Sequence, residues 1–424
     1  MRPPADPPPL RDVVALRLVP GIPRVLLVRM LDHFGGVVPL LDAPASGLLA
    51  WRLSENALRS LLNARDNAAG IERELEAMER LGAVLLHREH AQYPALLRRA
   101  PCPPPLLYRR GPAAPADDQA AVAIVGARSV TQYGRMVARS MGRGLAMAGV
   151  VVVSGLAMGI DTEAMLGAAQ AGGRTVGVLG CGLGVTYPTS SGQHIPQIIE
   201  RGALYSEYPT GTQPARHLFP ERNTIIAGLS LGVCVVEARE KSGSLLTAEA
   251  ALDAGRQVFA VPGDITRETS RGANRLIQAG AALVMESGDI LRDLEPLLRN
   301  VTGSAPAHEI PPAQARRQKA LSQALCDAED DAGDDDPEPP AEAERRARPM
   351  APPAAKQQAP AEGSLEHRIE AVLAAEPTQL NDLRIAPALA EVPEADLAMA
   401  LLNLELDGRI RQLPGGIYVL NRGD

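Results

Sequence analysis

Cysteine is scarce in this chain: Cys102, Cys181, Cys234 and Cys326 lie far apart, with no C-x-x-C pair and no histidine cluster beside them. That spacing excludes both a disulfide framework and a zinc site, and leaves buried structural thiols in a reducing compartment as the expectation. Long apolar runs are missing too; none approaches the ~20 residues of a membrane span, and the start, MRPPADPPPLR, has no apolar core of a secretory signal. A soluble, cytoplasmic protein without membrane contact is expected. Lysine is rare, with three against 40 arginines, and aromatic residues are only 3% of the chain. The G-x-G-x-x-G dinucleotide fingerprint and the G-x-S-x-G nucleophile turn are both absent, so neither bound NAD nor a serine hydrolase is encoded. No cofactor, no metal and no catalytic residue is expected.

What the chain does have is 424 residues, 46% of them hydrophobic, enough for two or three domains with at least one large core. Its net charge of −7 is unevenly spread: the acid excess lies behind residue 300, while residues 121–300 carry 16 basic and 15 acidic side chains. A nucleic-acid site would therefore be a local cluster of arginines and not a broadly basic surface. Residues 1–92 read as a small helical domain, with apolar spacing such as Leu26, Leu27, Met30, Leu31 and Phe34, followed by a proline-rich extended connector at 101–105 and 111–115. Residues 93–300 form the core. There, AVAIV at 121, VVVV at 150, TVGVL at 175, ALYS at 203, GVCVVE at 232, QVFAVP at 257 and AALVM at 281 alternate with helical patterns. That rhythm predicts an α/β fold, a Rossmann-like doubly wound parallel sheet buried on both faces. Residues 301–363, including DAEDDAGDDDPEPPAEAE, have the composition of a disordered acidic and proline-rich linker. Residues 364–424 read as helices at 364–374 and 394–406, then a hairpin turned by Pro414-Gly415-Gly416, the pattern of a winged helix.

Three strand-to-helix turns could hold phosphate. After the first strand come Gly126, Ala127, Arg128 and Ser129, where backbone N–H groups and a helix dipole point outward and Arg128 adds a planar charged donor. The turn alone equally fits an arginine paired with a carboxylate. After the second strand come Ser154 and Gly155, small enough for close approach of a ligand, with Asp161 as the expected N-cap of the next helix. After the fifth strand come Lys241, Ser242, Gly243 and Ser244, a hydroxyl-rich turn that suits phosphate or an ordinary Ser244 N-cap. In a doubly wound sheet these turns meet at the carboxyl edge. The stretch Arg216-His217-Leu218-Phe219-Pro220-Glu221-Arg222-Asn223, read as a loop before a helix at Thr224, sets one of three phenylalanines between arginines. An unstacked base needs that combination, and stacking contributes ~1–3 kcal/mol per base. Taken alone, Phe219 could equally plug the core and Arg222 be a surface charge.

In order along the chain, Tyr93-Pro94-x-Leu96, Pro104-Pro105-Leu106-Leu107-Tyr108 with Gly111, VGARS, SGLAMGID, Phe219-Pro220-x-Arg222-Asn223, IIAGLS, EARxKSGSLLTA, FAVPG and GANRLIQAGA resemble the bacterial DNA-processing protein A (DprA/Smf) family. The resemblance implies a non-enzymatic protein that binds single-stranded DNA and works as a homodimer. It also implies loading of the recombinase RecA onto DNA coated with single-strand-binding protein during natural transformation. It assigns Arg128 to the DNA backbone, Phe219 to a base and Arg216 to the basic position before F-P. Ala127, Met158, Met165 and Thr224 depart from the family pattern, and Thr224 stands where a second arginine of R-N-R is usual. The flanks resemble a SAM-like or helix-hairpin-helix-like module and a winged helix whose recognition helix carries Glu394, Asp396, Glu405 and Asp407, a surface suited to protein more than phosphate. The competing reading, a nucleotide-processing hydrolase of the related phosphoribohydrolase-like Rossmann family, requires P-G-G-x-G-T where this chain has Val261-Pro262-Gly263-Asp264-Ile265.

Overall fold

The computed structural model describes residues 7–112 and 120–301, Leu321, the helix Leu365–Ala375 and scattered residues from 378 to 420. Two compact units divide the chain at residues 341 and 342.

In the first unit, six helices come first: α1 (Leu10–Arg17), α2 (Arg24–Phe34), α3 (Val37–Leu41), α4 (Ala45–Leu48), α5 (Glu55–Leu62) and α6 (Ala68–Leu81). Their apolar faces, Val14, Leu16, Met30, Leu40 and Met78 among them, form a core shared with Leu85, Leu106, Tyr108, Leu179 and Leu204 of the sheet. The helical reading of residues 1–92 ends early, because Ala83–His87 is a strand, β1. The proline-rich connector is likewise interrupted by β2 (Leu106–Arg110), whose Leu106, Leu107 and Tyr108 are fully buried. β1 pairs antiparallel with β2, and β2 antiparallel with β6. The apolar residues after Pro105 extend the sheet because burying them there removes their surface from water. β1 thus lies within the stretch 1–92 and joins the sheet of the following segment.

All seven strands expected in the core are present: β3 (Ala121–Val125), β4 (Val151–Ser154), β5 (Thr175–Leu179), β6 (Ala203–Ser206), β7 (Gly232–Val235), β8 (Gln257–Ala260) and β9 (Ala282–Leu283). Between them run α7 (Ala95–Arg98, before β2), α8 (Gln132–Met147), α9 (Ile160–Gln170), α10 (Ile195–Arg201), α11 (Leu218–Gly228), α12 (Gly243–Asp253) and α13 (Glu268–Gln278), with α14 (Ser287–Val301) after β9. The sheet order is β1-β2-β6-β5-β4-β3-β7-β8-β9, with every pair from β6 to β9 parallel. Ala121, Ala123 and Val125 point to the face covered by α11 and α12, whereas Val122 and Ile124 pack with Met141, Leu145 and Ile160 of α8 and α9. Alternation on a sheet with helices on both faces is why these strands read as unbroken apolar runs. The order in which strands are added reverses at β3, which has β4 on one side and β7 on the other, and this switch point is where a doubly wound sheet opens a crevice.

The linker expectation for 301–363 falls outside the described residues except Val301 and Leu321; Leu321 is buried in the core of the first unit. In the second unit, α15 (Leu365–Ala375) packs its Ile369 and Leu373 with Leu389, Ala400, Leu401, Leu404 and Ile410. β10 (Thr378–Gln379), β11 (Ile410–Leu413) and β12 (Ile417–Leu420) form an antiparallel sheet in the order β10-β12-β11, with Leu413 opposite Ile417 at the expected hairpin.

Candidate nucleic-acid interface

The segments after β3, β4 and β7 meet at the switch point because their backbones interlock. The Ala127 N–H donates to Glu237 O at 2.7 Å, and the Ile160 N–H to Ala127 O at 3.2 Å. Gly159 makes this approach possible: its φ is +86°, and a Cβ there would lie 2.3 Å from Ala127 O. Glu237 caps the other side, accepting from the Thr131 N–H at 3.1 Å and its hydroxyl at 2.5 Å, while Thr131 Oγ1 accepts from the Gly134 N–H as N-cap of α8. Arg128 and Ser129 project from this braced turn into solvent.

Residues 218–223, expected as a loop, are the first turns of α11, with Pro220 tolerated where no helical partner exists for its missing N–H. Helical spacing puts Phe219, Arg222, Asn223 and Ile226 on one face, and all four line an open pocket of about 570 Å³. Gly126, Arg128, Ser129, Arg216, Lys241, Ser242, Gly243 and Ser244 line the same pocket. The expected site residues are thus brought together, with two exceptions. Ser154 is fully buried, its hydroxyl donating to Ile124 O at 2.6 Å, and Gly155 is buried against Arg222.

The arginines differ sharply. Arg222 is only 5% exposed; its Nη1 donates to Gly155 O at 2.6 Å and Val178 O at 2.7 Å, while Nε has no partner. A Cβ on Gly155 would stand 2.1 Å from Nη1 of Arg222, so glycine is needed to admit the guanidinium. Burial lowers the Arg222 pKa, opposed by the charge of Asp161. Asp161 is not the N-cap of α9, a position held by Gly159; its carboxylate accepts from the Gly155 N–H at 3.0 Å. Burial raises the Asp161 pKa, and Arg222 pulls it down. The two compensate each other inside the wall and brace the β4 turn. Arg222 is therefore a positioning group, contrary to its expected exposure.

Arg128, Arg216 and Lys241 are exposed around the rim, together with Arg239, which the sequence reading passed over. Its signal was its place in the EARxKSG block, two residues before Lys241. Thr247 also lines the pocket unannounced. Phe219 forms the aromatic wall: the Arg128 Cζ stands 5.5 Å and the Arg222 Cζ 5.7 Å from its ring centroid, with the Tyr187 ring 5.8 Å away. Its edge rests on Gly180 at the end of β5, where a Cβ would lie 2.8 Å from the ring. Across the pocket α12 begins with Ser242, and not Ser244, as N-cap; its Oγ accepts from the Ser244 N–H at 3.4 Å. Asn223 Nδ2 ties this turn to α11 through Gly243 O at 3.2 Å. Four exposed cations, an aromatic ring and a helix N-terminus face one cavity, a combination whose chemistry suits a phosphate and a base side by side. Among the described residues there is no group of three or more His, Cys, Asp or Glu able to hold a metal ion, and no helix long and apolar enough to cross a membrane.

Fold and pocket define a Rossmann-like α/β protein with a cationic, aromatic site at the switch point of its sheet. The family model of DNA recombination-mediator protein A matches residues 84–295, and that of the DprA winged helix domain matches residues 352–416. The chain is 33% identical over 417 residues to protein Smf of Synechocystis, covering 94% of this chain and 96% of that protein. It is 40% identical over 215 residues to DNA processing protein DprA of Bacillus subtilis, 51% of this chain and 72% of that one. The crystal structure of DprA from Streptococcus pneumoniae superimposes with a TM-score of 0.59 at 32% identity, covering 68% of this chain and 98% of that one. The chain belongs to the DprA/Smf family of DNA recombination mediators, and its C-terminal unit is a winged helix.

Proposed function

We propose that this protein binds single-stranded DNA at the switch-point pocket and, as a homodimer, loads RecA onto incoming DNA in natural transformation, protecting that DNA in the cytoplasm. The observation that carries the reading is the convergence of Arg128, Arg216, Arg239 and Lys241 around Phe219. In this reading phosphates bridge the exposed cations and the start of α12, where unpaired N–H groups and the helix dipole favour anions. A base packs on Phe219, and Arg128, which lies over that ring, turns to the neighbouring phosphate. A duplex keeps its bases stacked and cannot present a π-face to a ring inside a cavity of about 570 Å³, so the site selects unpaired strands. The outer modules, residues 1–92 and 364–424, serve in this reading as contacts for protein partners.

No enzymatic step is part of this function. The hydrolase alternative needs a free acid or base in the pocket, and Asp161, the carboxylate that lines it, is spent on Gly155 and Arg222. Titration of labelled oligo(dT) and of a matched duplex tests the reading, with an assay for base release from nucleoside monophosphates alongside. Failure to bind oligo(dT) at low salt, or unchanged affinity in the Arg128→Ala, Phe219→Ala double variant, refutes it; base release would favour the alternative.

A further inference from the structure

The face of α11 opposite the pocket is held by a residue from the N-terminal helices. Arg24 opens α2, some two hundred residues away in sequence, and its side chain is 9% exposed. Its Nε donates to Glu207 Oε1 at 3.0 Å, and Nη2 pairs with Glu207 Oε2, a carboxylate 6% exposed. The remaining donors reach α11: Nη1 to Thr224 Oγ1 at 2.6 Å, and Nη2 to Glu221 O at 3.0 Å. Tyr208, beside Glu207, adds its hydroxyl to Glu221 Oε2 at 2.8 Å. Glu74 of α6, also buried, accepts from the Thr210 N–H at 2.7 Å and hydroxyl at 2.9 Å. The helical module therefore grips both the end of the β6 segment and the first turns of α11. Between these grips, Gly211, Gln213, Arg216 and His217 are exposed.

We infer that Arg24 is a positioning residue for the DNA site, holding α11 through Glu221 and Thr224 so that Phe219 stays where a base stacks. Glu221 and Thr224 lie on the side of the helix away from Phe219, Arg222 and Asn223, so a tether there sets the rotation of the helix without entering the pocket. The guanidinium suits the task because its rigid fork engages a carboxylate and two further acceptors at once, which an ammonium cannot do in a fixed geometry. Paired with Glu207, Arg24 adds no net charge to the site; its effect is geometric. Thr224, where the family motif usually has arginine, supplies the acceptor that admits this tether.

The inference rests on the single-stranded DNA reading, and a double-variant cycle on the full chain separates the two. Arg24→Ala is expected to weaken oligo(dT) binding about tenfold, within what one stacked base contributes. In a Phe219→Ala background the same change should cost less than about twofold, because the group being positioned is gone. In a Lys241→Ala background the full tenfold should persist. Equal losses in both backgrounds, or no loss in the unsubstituted one, overturn the inference while leaving the DNA reading intact. Absence of oligo(dT) binding by the unsubstituted chain sinks both. Should Arg24→Ala fail to fold, Thr224→Val keeps the Arg24 and Glu207 pair and removes one of the two acceptors that Arg24 has on α11, leaving Glu221 O. It should weaken binding about threefold, abolished by Phe219→Ala; additivity would overturn the inference equally.

Discussion

Salt dependence separates the two halves of the pocket, because its cations and its ring respond differently to counterions. Each phosphate neutralised on a single strand contributes a slope of about −0.7 to log K against log salt. With Arg128, Arg216, Arg239 and Lys241 each engaging one phosphate, the slope per site should be about −2.8, and a rise from 50 to 200 mM salt should weaken binding roughly 50-fold. Lys241→Ala or Arg239→Ala should each bring the slope to about −2.1. Phe219→Ala should do the opposite: lose ~1–3 kcal/mol, roughly 5- to 150-fold in affinity, at every salt concentration without changing the slope. Fluorescence anisotropy of a labelled oligo(dT) at five or six salt concentrations reads both quantities. A slope shallower than about −1 in the unsubstituted protein, or a Phe219→Ala variant that changes slope and not intercept, would refute this division of labour.

Other consequences follow from the packing. Arg222→Met leaves the buried Gly155 and Val178 carbonyls without their guanidinium donor, so urea denaturation should show a loss of about 2–5 kcal/mol; a loss under about 1 kcal/mol would mean the arginine is free. A Cβ on Gly142 of α8 would lie 2.1 Å from Ala164 O of α9, so Gly142→Ala should cost about 1–3 kcal/mol by separating these helices, whereas Gly211→Ala, with open space around it, should stay within about 0.5 kcal/mol. Burial pushes the Cys181 thiol up to about 11 and Cys234 up to about 12, from 9.0. Because the folded state favours the protonated thiols, their contribution to stability is complete below pH 9.0 and is lost as pH rises from there through about 11 to 12. At pH 8 iodoacetamide should therefore modify partly exposed Cys102 and spare both until the protein unfolds; rapid labelling of either in the native state would contradict their burial.

How much of this was legible beforehand depended on the range of the forces involved. Strand positions, the parallel sheet and the turns bearing Arg128 and Lys241 were readable because hydrophobic periodicity and glycine punctuation are local, and burial on both faces leaves unbroken apolar runs such as AVAIV and GVCV. The family blocks likewise named Phe219 and Arg216 from sequence alone. Tertiary structure decided the rest. Whether LLYRR continues a proline-rich connector or extends the sheet depends on the antiparallel partner it meets, Ala203–Ser206, a hundred residues later. Whether an arginine faces solvent or the core is invisible to composition: Arg222 is spent on carbonyls of β5 and the β4 turn, while Arg239 takes the exposed role. Propensity placed the start of α11 at Thr224, but Phe219 against Gly180 and Arg24 against Glu221 and Thr224 draw Leu218 to Asn223 into the helix. The sequence by itself determined which residues could meet a phosphate or a base. Only long-range packing, with Arg24 tied to a helix two hundred residues away, decided which of them face the pocket and which hold the others in place.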